Sequence, residues 1–180
     1  MSNSSDHSEE KPWMSGGPSM YREPEERLPM DLFSYTREAG HCLRERRFLA
    51  SIAMASTAVE LILNRDRRLK ALPDFKAGDG WAYLNNRTLR IAREHGLPTD
   101  ALISAGDDIA TRKPIAFVEL RNKVAHGEIN HLVNTLSDYD SGAEQMAADQ
   151  ELKMRSFVSK WFNTAPDVQD GHIRNNLWPD

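Results

Sequence analysis

Cysteine is nearly absent from this chain of 180 residues, which has one, Cys42. An internal disulfide is therefore excluded, paired-cysteine metal spacings do not occur, and Cys42 reads as a small residue in a helix core. Long apolar runs are missing too. No stretch approaches the roughly 20 apolar residues that cross a bilayer, and the start, MSNSSDHSEEKPW, is acidic where a secretory signal is basic and then apolar. The expectation is a soluble, cytoplasmic chain without a membrane partner. Neither a glycine-rich phosphate loop nor a serine or cysteine nucleophile motif is present; KAGDGW lacks the strand and helix context such loops require. The histidines His41, His95, His126, His131 and His172 show no His-x3-His spacing, so neither a metal nor a cofactor is expected.

Hydrophobic residues make up 39% and charged residues 28%, values near those of a globular domain. The formal charge of −4 hides an asymmetry: residues 31–126 hold 16 Lys and Arg against 12 Asp and Glu, and the remainder hold 7 against 15. A mildly basic body with acidic ends suits a polyanion such as RNA, and is equally what an ordinary charged surface looks like.

Residues 1–30 carry Pro12, Pro18, Pro24 and Pro29 around SGGPS and read as an extended or disordered arm. Residues 31–162 read as one helical domain. Asp31 is placed to cap LFSYTREAGHCLRER, with Leu32, Phe33, Ala39 and Leu43 facing inward. In RFLASIAMASTAVELILNRDRRLK, the spacing of Phe48, Ile52, Ala55, Val59 and Ile62 draws one apolar stripe. A third helix is expected over WAYLNNRTLRIAREHG, closed by Gly96, and LPTDAL restarts the chain with Thr99 or Asp100 as cap. A fourth covers PIAFVELRNKVAHG, opened by Pro114. A fifth covers GAEQMAADQELKMRSFVSKWFN, amphipathic through Met146, Leu152, Phe157, Val158 and Trp161. Residues 163–180 read as an irregular tail that Ile173, Leu177 and Trp178 could pin down. The whole is an all-α antiparallel bundle of four to five helices with extended arms.

The fourth helix poses the functional question. At about 100° per residue, Phe117, Val118, Leu120, Val124 and Ala125 share one apolar arc, and Arg121 lies inside it. Glu119 and Lys123 point away, while Asn122 and His126 share the edge of the arc. An arginine there needs a carboxylate such as Glu60, a stem that snorkels to the surface, or a wet cleft. His126 sits in the last turn before Gly127, where the negative end of the helix favours a cation; it reads either as a cap or as a proton carrier.

The segment RNKVAHG, with Arg121, the polar follower Asn122 and then His126 at the end of a core helix, resembles the motif of HEPN domains. FLASIAMASTAVELIL, an alanine-rich run ending near Glu60, resembles that family's second helix, and the resemblance extends over residues 31–162. It implies a homodimer in which two motif helices form one cleft, and metal-independent cleavage of RNA there by attack of the ribose 2′-hydroxyl. Arg121 would then hold the scissile phosphate, His126 would act as general base or acid, and Asn122 would orient one of them. Glu60 and Glu128 would tune the site, and Lys123 and Arg47 would contact RNA. Glu128 departs from the aromatic many toxins of this family carry two residues after the histidine. Arg121 and His126 lie about 140° apart on an ideal helix, which suits a composite of two chains better than one. A toxin or antiphage effector, with an antitoxin or regulatory protein as partner, is one expectation; a non-catalytic module of the same fold, binding RNA, nucleotide or protein, is the other.

Overall fold

The computed structural model describes residues 30–73, 75, 81–128 and 139–166, and all regular structure among them is helical. The N-terminal arm and most of the tail expected at 163–180 lie outside these residues. The first helix, α1 (Met30–Arg44), turns back at residues 45–47 into α2 (Phe48–Arg65). Ser51 Oγ donates to the Ala39 carbonyl at 2.8 Å at one end of the pair, and Arg65 pairs with Asp31 at the other, so α1 and α2 form an antiparallel hairpin. Arg46 closes α1 with a positive φ of 57°, a position at which glycine is usual.

Short α3 (Arg67–Lys70) follows α2 after a break at Asp66, so the single helix expected through residue 70 is two. Asp66 accepts from the Arg68 amide at 2.9 Å, which caps α3. Residues 81–84, expected to be helical, run extended; α4 (Asn86–Glu94) starts only after Asn85, whose side chain and Thr88 form a capping box. A 3-10 turn occupies Thr99–Leu102, and neither Thr99 nor Asp100 caps it; its N-cap position is Pro98. The motif helix, α5 (Ala116–Ala125), is shorter than expected by two residues at each end. Its first turn is anchored by Asn86 Oδ1, which accepts from Ile115 N at 3.1 Å, and by Asp107 Oδ1, which accepts from Ala116 N at 3.0 Å. A wide π turn over Tyr139–Ala143 leads into α6 (Glu144–Thr164).

Helix α2 is the axis of the fold. Its apolar stripe, Ile52, Ala55, Val59 and Ile62, is fully buried against α1, α5 and α6. Gln150 Nε2 donates to Ser56 Oγ at 3.2 Å, and Trp161 Nε1 donates to Asp66 Oδ2 at 2.8 Å, so α6 runs parallel to α2. The same Gln150 amide donates to the Phe117 carbonyl at 3.1 Å and fixes α5 against both. By length and hydropathy α2 would suit a membrane span, but 67% of it is buried inside the bundle, as a core helix is. Among the apolar residues expected to face inward, Leu152 is an exception, 65% exposed on α6. Cys42 is buried, where desolvation and the neighbouring Glu38 carboxylate raise its thiol pKa.

Two polar groups in this core make testable demands. Burial works to raise the Asp66 carboxyl; the Arg68 guanidinium, the Trp161 indole and the Arg68 amide outweigh it and hold the group below its usual range. A folded pKa below the unfolded one gives stability that is complete above about pH 4 and is lost as pH falls through the folded value. Asp66→Asn should therefore cost about 2 kcal/mol at neutral pH and progressively less in acid, read by urea melts across the pH range. Thr99 Oγ1 is buried without a hydrogen-bond partner. Thr99→Val should leave the chain unchanged or raise its stability by about 1 kcal/mol in the same melts.

Candidate functional site

Two polar residues one turn apart interrupt the apolar run of α2: Glu60 and Asn64. Both are buried, and both face the extended segment 81–84. Asn64 clamps Ala82 from two sides, donating through Nδ2 to its carbonyl at 2.9 Å and accepting its amide at Oδ1 at 2.8 Å. Glu60 Oε1 accepts the Leu84 amide at 3.1 Å. The segment is thereby strapped along α2, with Ala82 and Leu84 turned into the core and Trp81 and Tyr83 turned outward.

The same Glu60 oxygen accepts from Arg121 Nη2 at 2.8 Å. On its other side Arg121 Nη1 donates to Asn122 Oδ1 at 3.2 Å. The guanidinium is held at both terminal nitrogens, its side chain is 25% exposed, and three of its five N–H groups are not engaged by these two bonds. The carboxylate partner anticipated for an arginine in an apolar arc is therefore present. Charge on Arg121 is largely balanced by Glu60, so a phosphate arriving there would meet an ion pair, not a bare cation.

His126 occupies the C-cap of α5 and is exposed. The helix ends in a Schellman motif: Glu128 N donates to the Lys123 carbonyl at 2.8 Å, and Gly127, with φ 71°, donates to that of Val124 at 3.3 Å. Glycine follows the histidine because the chain must turn through the left-handed region there. The imidazole makes no hydrogen bond with another described residue, and neither does the Glu128 side chain, so Glu128 is not brought onto His126 as a tuning group.

Arg121 and His126 lie five residues apart, Arg121 within α5 and His126 at its C-cap. Val124 and Leu120 pack against the cluster of Phe48, Ile52, Ala143 and Ala147, near the start of α2. The Arg121 guanidinium reaches back to Glu60, about 12 Å further along α2 at ~1.5 Å per residue. Ala125, assigned to the apolar arc, is exposed, because α5 leaves the core over its last turns.

The expected RNA contacts are dispersed. Lys123 pairs with Glu119 at 2.7 Å across one helical turn, and Arg47 lies at the α1–α2 turn, 3.9 Å from Glu38. A cavity of about 220 Å³ opens between α5 and α6 beside Lys123, but Glu119 and Asp149 wall it with negative charge. Among the described residues no three His, Cys, Asp or Glu side chains converge to hold a metal ion. The chain matches no family model, no curated protein and no solved structure.

Sequence reasoning placed Glu60 and Arg121 and missed the strap. Its signal was the pair Glu60 and Asn64, spaced four apart on an otherwise apolar helix: two buried side chains on one stripe need a backbone to bind. Replacing one partner of the Glu60–Arg121 pair leaves the other charge underground. Arg121→Met should cost about 2 kcal/mol, less than the ~3 of a fully buried pair because the guanidinium reaches water. With Glu60→Gln it should show a coupling of about 1 kcal/mol in a double-mutant cycle; additive losses would mean the pair contributes nothing.

Proposed function

We propose that this chain is a HEPN-like, metal-independent endoribonuclease that works as a homodimer, with two copies of α5 lining one cleft and RNA as substrate. The observation that carries the reading is the asymmetry within the motif: Arg121 is fixed by Glu60 and Asn122 with donors to spare, while His126 stands exposed at the end of the same helix, without a hydrogen bond to another described residue. A proton carrier must be reachable, and an anion-holding arginine must be held still.

In a dimer built across α5, Arg121 of one subunit would face His126 of the other. His126 would take the proton from the ribose 2′-hydroxyl. The 2′-oxygen would attack phosphorus, the bond from phosphorus to the 5′-oxygen would break, that oxygen would leave as a 5′-hydroxyl by taking a proton from water, and a 2′,3′-cyclic phosphate would form. Arg121 would offer its remaining N–H groups to the phosphoryl oxygens as charge builds on them. Glu60 is the positioning residue, and the balancing of Arg121 makes the site one that acts through geometry more than through net charge. DNA, without the 2′-hydroxyl, would resist. A toxin or defence effector restrained by a partner protein fits such an activity.

The Glu60–Arg121 pair also favours a second reading, a non-catalytic module of the same fold that binds RNA or protein and uses Arg121 as a structural brace. The two separate in one assay. RNA incubated with the chain in EDTA should be cut to cyclic-phosphate ends, and His126→Ala should abolish the cut while changing stability by no more than about 0.5 kcal/mol, since the residue is exposed. RNA recovered intact, or cut equally by His126→Ala, rules the nuclease out and leaves the module.

A further inference from the structure

The strap that Glu60 and Asn64 hold against α2 carries two exposed aromatic residues. Trp81 is 38% exposed and Tyr83 47%, and with Leu152 they are the large hydrophobic residues that stand out among the described surface. Rings of this size are normally buried, and here both are left exposed while Ala82 and Leu84 take the inner positions. Exposure is enforced by the backbone, since the bonds of Asn64 to Ala82 and of Glu60 to Leu84 fix the register.

Two features adjoin the rings. Leu84 N–H and Arg121 Nη2 share the Glu60 Oε1 atom, at 3.1 and 2.8 Å, so the backbone next to Tyr83 lies within about 6 Å of the guanidinium. The Tyr83 carbonyl also accepts from Thr88 Oγ1 at 2.7 Å, which ties the ring segment to the first turn of α4. On α4, Arg87 and Arg90, three residues apart, are both exposed, whereas Arg93 is paired with Asp100 at 3.0 Å. Asn86 Nδ2 further draws in the loop that bears exposed Arg112 and Lys113, bonding the carbonyls of Thr111 and Lys113 at 3.2 and 2.6 Å.

We propose that Trp81 and Tyr83 form a stacking platform for unpaired bases of single-stranded RNA, with Arg87 and Arg90 following its backbone and the adjacent phosphate reaching Arg121. The idea deepens the nuclease reading, on which it rests for the role of Arg121. Stacking recognises a free base face, which a duplex does not offer, so the platform selects single strands without selecting sequence. Protein hot spots also use Trp, Tyr and Arg; the exposed pair Arg87 and Arg90, with no acidic residue between Trp81 and Arg93, favours a polyanion.

A 2′-O-methyl oligonucleotide of about ten residues lacks the attacking hydroxyl and reads binding without cleavage. By fluorescence anisotropy, the chain should bind it as a single strand, and Trp81→Ala with Tyr83→Ala should weaken binding about tenfold or more. Phenylalanine at both positions should restore most of that loss. Arg87→Gln with Arg90→Gln should lower the slope of log affinity against log salt by roughly 1.4, or ~0.7 for each lost phosphate contact. Ultraviolet cross-linking of the unsubstituted chain should place adducts on Trp81 or Tyr83, which keeps the test independent of any variant's folding.

Equal affinity of the alanine variant and the parent, absence of binding by the parent, or cross-links only at other segments would each overturn the platform. If the parent cuts RNA while the alanine variant binds as tightly as the parent, the platform falls and the nuclease reading stands. If the parent binds through the rings but never cuts, the platform stands and the nuclease reading falls.

Discussion

One carboxylate oxygen organises the functional half of this fold. Glu60 Oε1 takes the Leu84 amide and the Arg121 guanidinium together, so a single buried atom of α2 sets the positions of the extended strap and of the side chain of α5. A buried carboxylate is unfavourable unless its charge is matched and its lone pairs are used. Arg121 supplies the first and Leu84 contributes to the second. The arrangement is mutual: without the arginine the carboxylate loses its counter-ion, and without the carboxylate both the strap and the guanidinium lose their anchor.

Around that atom the packing is unremarkable in kind. Helix α2 is buried on nearly every side over residues 58–64, with α6 parallel to it and α1 and α5 set against them by Ser51, Gln150 and the small cluster at Phe48. The apolar stripes make the bundle, and the polar side chains choose its register. Helix α5 is deeply packed only at Phe117 and Val118, and is half-buried or exposed thereafter. That gradient is why Arg121 is held inside while His126 projects into solvent five residues on. A helix pinned at one end and open at the other suits a role in which a second body completes what the open end begins.

Much of this was legible in the sequence. The helical period gave α1, α2, α5 and α6, and an arginine within an apolar arc called for a carboxylate such as Glu60. Where legibility failed, a tertiary contact overrode local pattern. Trp81, Ala82, Tyr83 and Leu84 show no polar alternation, so the period of two that separates rings from core became visible only through Glu60 and Asn64. Asp66 hides in RDRR, a run that reads as a helix terminus, and breaks the chain because its carboxylate is claimed by Arg68 and Trp161. Leu152 fits the apolar pattern of α6 and still faces water, since periodicity marks the face that could be buried and not the neighbour that would cover it. The motif itself was readable as residue types, but its geometry was not, because the direction in which Arg121 leans depends on a residue 61 positions away.

The most direct measurement is amide hydrogen exchange at Leu84. If Glu60 anchors the strap, the Leu84 amide exchanges slowly in the parent chain and much faster in Glu60→Ala, while amides within α1 keep their protection. A Leu84 amide that exchanges freely in the parent, or whose protection survives Glu60→Ala, would contradict the account.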